Sequence, residues 1–403
     1  MAGRPPDGEP VPPSGPLSPR ARTEGPLALY VHVPFCATRC GYCDFNTYTA
    51  GELGDTTGPD AYVAAALDEI RLARRSMPHA PAVSTVFFGG GTPTLLPPAS
   101  LAALLAEVRS EFGLVPDAEV TTEANPETLD GATLEALRHS GFTRISIGMQ
   151  SSSPGVLAVL DRVHTPGASV SAARLARAAG FEEVSLDLIY GTPGESDASW
   201  RASLDAALSA QPTHVSAYAL IVEDGTALSR KVRSGEISAP DDDVLADRYE
   251  IADDVLGGAG LGWYEISNWG SPCRHNLAYW RSENWWGVGP GAHSHVGGVR
   301  WWNVRHPAAY AHALQDKRSP AQAREVLDAP SRADERVLLA IRLADGLPVA
   351  AIPGDPAIAQ QRVGSLVSDG LADEQAARGA EASVRLTLRG RLLADTVVHR
   401  LLA

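Results

Sequence analysis

The chain has 403 residues, 44% of them hydrophobic and 20% charged, and a net charge of 34 − 48 = −14. That composition suits a soluble globular protein with one large core domain and a smaller one. It argues against bulk nucleic-acid binding, which rests on neutralising phosphates with Lys and Arg. Four cysteines make no disulfide framework, and no apolar run approaches the length of a membrane span.

The first residues, "MAGRPPDGEPVPPSGPLSPRARTEG", are rich in Pro and Gly and lack an apolar signal-peptide region. Residues 1–24 read as a disordered tail, and the compartment reads as the reducing cytoplasm. "LALYVHVP" (27–34) is the first strand candidate, followed at once by "CATRCGYCDF". In "DAYVAAALDEIRLARRS", Val63, Ala66, Leu67 and Ile70 share one helical face. Further strand candidates are "STVFFGGG" (84–91), "AEVTTEANP" (118–126), "RISIGMQS" (144–151), "EVSLDLIYG" (183–191) and "HVSAYALIV" (214–222), with helical patterns between them. Repeated strand-then-helix units predict a parallel sheet. Polar motifs stand at the end of every strand, the mark of a barrel-type site face. Residues 25–240 are therefore expected to form a partial (β/α)6 barrel, within the α/β class.

Residues 241–328 form a Trp-rich extension, with seven of the eight tryptophans between Trp263 and Trp302. Residues 329–403 read as a small α-rich, winged-helix-like domain. There "DERVLLAIRLADGL" predicts a helix ending at Gly346, and "VRLTLRGRLLADTVVHRLL" a strand, a turn at Gly390 and a final helix.

Cys36, Cys40 and Cys43 form a C-x3-C-x2-C triplet, one ligand short of a closed tetrahedral site. Zinc completed by the distant Cys273 or by a histidine is one option. A [4Fe–4S] cluster with one iron left open is the other. In "GGGTPT" the glycines let backbone approach a ligand closely. Arg162 suits a carboxylate. Glu123 and Asp187, taken singly, fit a strand-end hydrogen bond as well as a ligand contact. His275 in "HNLAYW" is either a metal ligand or a structural histidine in a Trp-rich core.

The cysteine triplet after the first strand of such a barrel resembles the radical SAM superfamily. The resemblance implies that S-adenosylmethionine (SAM) chelates the open iron and yields a 5′-deoxyadenosyl radical on one-electron reduction. It implies SAM contacts at Tyr30, Tyr42, Gly90, Gly91, Thr92, Glu123, Gln150, Arg162, Asp187 and Ala219, positions matching the coproporphyrinogen III oxidase-like branch. The dehydrogenases of that branch carry a fourth cysteine in C-x3-C-x2-C-x-C, and Phe45 stands there in this chain. The motifs "YEISN…HNLAYW…GVGPGAHS" and "RLTLRGRLLADTVV" are most similar to the HemW family of haem chaperones, over residues 26–403.

That likeness implies haem as a further ligand, at His275 with Tyr279 and Trp280 beside it. His293, His295 and the Cys273 thiol are rival iron ligands. It also implies delivery to respiratory haem proteins, with membrane association only through such recipients, and no coproporphyrinogen dehydrogenase activity. The alternative is oxygen-independent coproporphyrinogen III oxidation. Glu195 in "GTPGES" and Ser152 depart from the branch pattern, and neither touches the cluster ligands.

Overall fold

The computed structural model describes residues 8–12, 15–17, 23–53, 58–379 and 381–403. The core strands come in the expected order: β2 (Leu27–Val33), β3 (Val83–Gly90), β4 (Leu114–Ala124), β5 (Arg144–Gln150), β6 (Glu183–Tyr190) and β7 (His214–Ala219), after a short β1 (Glu9–Pro10). From β2 to β7 each strand pairs in parallel with the next. β2 is buried along nearly its whole length, as a parallel strand covered on both faces must be. The crossover helices start on local caps. Asp130 accepts the Thr133 amide ahead of Gly131–Ser140, and Ser196 accepts the Ser199 amide ahead of Asp197–Leu208. Gly141, at φ 103°, ends the first of these helices in the left-handed conformation.

An open parallel barrel leaves two edges of unpaired backbone, and the Trp-rich segment closes both. β8 (Trp263–Glu265) and β9 (Asn268–Gly270) extend the β7 edge antiparallel. β10 (Asn284–Val288) pairs in parallel with β2 and continues through β11 (His293–Val296), β12 (Val299–Asn303) and β13 (Ala321–Val326). The segment expected as an extension is thus part of one sheet, of 13 strands among the described residues. Glu69, on the helix Pro59–Ser76, locks this arrangement. Its buried carboxylate accepts from Tyr310 Oη (2.6 Å), the Gly289 amide (2.8 Å) and Asn303 Nδ2 (2.8 Å). Burial still raises its pKa, to about 7, against the pull of those donors.

The reading of residues 1–24 as a disordered tail needs correction where those residues are described. β1 pairs with β13, Arg324 Nε sits 2.7 Å from Glu9 Oε1, and Leu17 is buried. A sheet edge supplies the order that Pro-rich composition does not. The remainder of that stretch lies outside the described residues.

The C-terminal residues pack their own core around Val337, Leu347, Val363, Val384 and Val397. Helices Ala329–Ala340, Pro356–Ser368 and Ala394–Leu402 surround a two-stranded ribbon of β14 (Leu347–Pro348) and β15 (Ser383–Val384). Two details differ from expectation. The first helix ends at Ala340, and Gly346 (φ 77°) serves the turn into β14. Gly390 lies inside a short helix capped by Thr387, where a Cβ would collide with the Leu371 carbonyl. Arg391 ties this unit to the barrel: both its Nη atoms reach Asp253 at 2.7 Å, and its guanidinium lies 4.3 Å from the Trp263 ring centroid. Among the described residues no helix is long and apolar enough to cross a membrane.

Candidate functional site

The loop after β2 is held in place mainly by backbone. The Cys36 amide donates to Tyr48 O (3.0 Å), the Gly41 amide to Leu160 O (3.0 Å), and the Leu228 amide to Gly41 O (2.8 Å). Asn46 adds a side-chain tie, with Nδ2 donating to Pro290 O (2.9 Å) and Arg305 O (2.8 Å). This bonding holds the loop without using the thiols of Cys36, Cys40 and Cys43. All three are free thiols, partly exposed, on the wall of a cavity of ≈ 650 Å³. Burial raises the Cys43 thiol to about 11. It raises Cys36 too, against hydrogen bonds from Thr47 and Thr92.

The donor set fits an iron–sulfur cluster. Among the described residues no three His, Cys, Asp or Glu side chains converge on a single-ion site. In a cluster each thiolate takes a different iron, so three thiols spread along one loop are suited to it. Arg162 Nη1, 3.5 Å from Cys40 Sγ, supplies a cation beside thiolate charge. Cys273 stands apart, buried, with Sγ donating to Glu119 Oε1 at 3.4 Å. That removes the thiol on which a four-cysteine zinc site would depend.

Every residue expected to contact SAM lines the same cavity as the cysteines, and so does His275. Glu123 accepts the Gly90 amide at 3.0 Å. Burial, and then the nearby Asp187, raise its pKa to about 7. Asp187 accepts from Ser146 Oγ (2.8 Å) and Ser216 Oγ (2.8 Å). Its pKa is raised by burial, although those hydroxyls, Ser185 and Arg162 all oppose the shift. Two buried carboxylates in one cavity favour a ligand that brings positive charge, and the sulfonium and ammonium of SAM do so. Gln150 ends β5 in the left-handed region (φ 63°), beside the register shift after Gly148. Such a conformation costs a non-glycine residue about 1 kcal/mol or more, and it clusters at ligand sites. Tyr42, Thr92 and Ala219 complete the wall.

The glycine run has a different physical cause from the one expected. A Cβ on Gly91 would collide with the Phe35 carbonyl, and one on Gly90 (φ 108°) would lie 2.5 Å from the His32 ring. The close approach is therefore between this loop and the cysteine loop, sealed by the Thr92 amide donating to Phe35 O at 2.7 Å. His32 is neutral, its pKa lowered to about 4 by burial. Its Nε2–H donates to Asn46 O (2.9 Å), so Nδ1 accepts from the Tyr30 hydroxyl (3.0 Å). Tyr30 is thereby tied to the cysteine loop.

His275 is 1% exposed and neutral, its pKa lowered to about 3 by burial. Nδ1 pairs with Thr85 Oγ1 (2.8 Å), Nε2 with Tyr279 Oη (2.9 Å), and the ring stacks on Phe87 at 5.1 Å. A neutral imidazole has one donor and one acceptor nitrogen, and here both are engaged. The structural option that the sequence left open describes this state. His293 and His295 do not line the cavity. His293 stacks on Trp302, and His295 Nδ1 bonds Glu283 O at 3.0 Å.

Sequence reading missed Ser146, Ser185, Ser216, His214 and Glu119. The three serines hold Asp187, and His214 bonds Ser185 (2.7 Å) and Tyr264 (3.0 Å). Glu119 accepts from the His275 amide (3.0 Å) and the Arg274 amide (3.2 Å), and pairs with Arg144 at 3.3 Å. The available signal was a polar residue on the inward side of an otherwise apolar strand.

A family model described as the Radical SAM superfamily matches residues 30–207. A protein of Mycobacterium tuberculosis named heme chaperone HemW is 53% identical over 380 residues, covering 94% of this chain and 95% of that one. Its namesake in Bacillus subtilis is 32% identical over 92% of this chain and 97% of its own. Among solved structures, coproporphyrinogen III oxidase (HemN) from Escherichia coli superposes with a TM-score of 0.79 at 23% identity, over 95% of this chain and 91% of that one, a likeness of fold. The chain belongs to the radical SAM superfamily and, within it, to the HemW family.

Proposed function

We propose that this protein is a haem chaperone of radical SAM fold, which carries haem and passes it to respiratory haem proteins. The observation behind the reading is the likeness to proteins named heme chaperone over 94% of the chain. Cys36, Cys40 and Cys43 would hold the [4Fe–4S] cluster, and the wall formed by Glu123, Gln150, Arg162 and Asp187 would take SAM. Bound there, cluster and SAM supply one-electron chemistry. The residues themselves orient and neutralise: the carboxylates face the cationic groups of SAM, Arg162 faces a carboxylate or the thiolates, and Tyr30 braces the loop. His275 can ligate iron only if the Tyr279 or the Thr85 hydroxyl lets go.

Coproporphyrinogen III oxidation is the second reading, favoured by the fold shared with HemN. Phe45 at the position of the fourth cysteine weighs against it. Anaerobic reconstitution followed by two assays separates them. The chaperone reading expects a Soret band on haem titration and no turnover of coproporphyrinogen III with SAM and reductant. Robust protoporphyrinogen production overturns it.

A further inference from the structure

The cavity changes character from depth to mouth. Its depth is polar, with Glu123, Asp187 and Arg162. Its wall also carries three large side chains left in water: Phe45 is 57% exposed, Ile221 65% and Tyr218 45%. The bond that Phe45 makes within the loop is through its carbonyl, which accepts the Thr47 amide at 2.8 Å. Exposed apolar side chains gathered at one cavity mark a binding surface. A volume of ≈ 650 Å³ suits one cofactor-sized ligand. The cluster and SAM of the proposed function would occupy that depth and leave the rim for a second ligand. His275 offers that ligand no free nitrogen.

Rim charges refine the choice of occupant. Asp44 and Glu223 are present, and so is Arg39. Arg39 bonds Glu52 Oε2 (3.2 Å) and Thr47 O through Nη2, and its side chain stays 30% exposed at the cavity wall. A flat apolar molecule with a carboxylate at its edge matches a phenyl ring, an isoleucine and a partly exposed arginine.

Resting on the haem reading above, we propose that haem docks at this mouth, its macrocycle against Phe45 and Ile221 and one propionate toward Arg39. Phe45 is then more than a missing cysteine. It is the contact that suits the site to a tetrapyrrole held as cargo above the cofactors.

The test uses the full chain with its cluster reconstituted anaerobically. Haemin is titrated by the Soret band, while cluster absorbance and SAM binding by equilibrium dialysis are followed in parallel. Phe45→Ser and Ile221→Ser are each expected to weaken haem binding about tenfold, and the double variant about a hundredfold. Phe45→Leu should stay within about threefold. Cluster and SAM binding should match wild type throughout. Wild-type haem affinity in the double variant overturns the proposal, as does a loss of haem confined to His275→Ala. If Phe45→Ser also loses its cluster, Ile221→Ser, outside the cysteine loop, decides on the same criterion. A wild-type chain that binds no haem at all refutes the chaperone reading and the proposal together, and so is told apart from a haem binder that ignores the rim.

Discussion

Two parts of the cavity wall carry residues that the sequence singled out as metal-binding, and they are built in opposite ways. The cysteine loop is fixed by its backbone, through Gly41, Cys36 and Tyr48, so its thiols remain available. The helix Arg274–Trp280 is fixed through its side chains and first amides. Glu119 gathers the start of the helix, while Thr85 and Tyr279 occupy both nitrogens of His275. A residue type that can bind a metal is a ligand only where something else carries the structural load.

The sharpest way to break this contrast is Cys36→Ala. It should abolish the cluster, read as iron and acid-labile sulfide per chain, with little change in the melting temperature of the cluster-free protein. Wild-type iron content would reject the thiolate assignment.

Glu119→Ala should do the reverse. It leaves the amides of Arg274 and His275 without their acceptor and takes one of two carboxylates from the buried Arg144, which keeps Glu183 at 3.4 Å. The expected loss is about 3 kcal/mol in urea unfolding. A loss under about 0.5 kcal/mol would mean that the helix is not held as described.

A third test uses pH. The folded-state pKa of Glu123, about 7, lies above the ordinary value of 4.5. The native state therefore binds the extra proton, and the stability of the ligand-free protein should fall as pH rises from about 5 to about 7. Glu69, also raised to about 7, adds to the same slope. Glu123→Gln should flatten the melting-temperature profile over that range. SAM affinity should move the other way, rising toward pH 8 by up to about tenfold as Glu123 loses its proton. An affinity independent of pH in wild type would remove Glu123 from the SAM contacts.

The smallest effect is expected from Asn46→Ala, the main side-chain tie of the otherwise backbone-held loop. It should cost about 1 kcal/mol and speed hydrogen exchange in residues 36–48 while iron content stays at the wild-type level. Loss of the cluster would show that the loop depends on side chains after all.

Legibility followed the range of the interaction. The strands β2 to β7, the cysteine triplet and the polar strand ends were readable because alternation and short spacing are local properties of the chain. The edges were not. That Glu69 would bond Gly289 and Tyr310, or that Glu9 would pair with Arg324, joins residues hundreds of positions apart and leaves no local pattern. Glycines 90 and 91 stood out in the sequence, but what crowds them, the His32 ring and the Phe35 carbonyl, left no trace there.

By itself the sequence determined which chemistry the chain can hold: three thiols on one short loop, six strands ending in polar motifs, and an aromatic ring where a fourth thiol would stand. Tertiary structure decided which of those groups are free to act. It gathered Glu123, Asp187, Arg162 and the cysteines around one cavity, spent both nitrogens of His275 on neighbours, and left Phe45 and Ile221 in water. The physical reason is that hydrogen-bond capacity and burial belong to three-dimensional neighbours, and a residue's commitments are settled only when those neighbours meet.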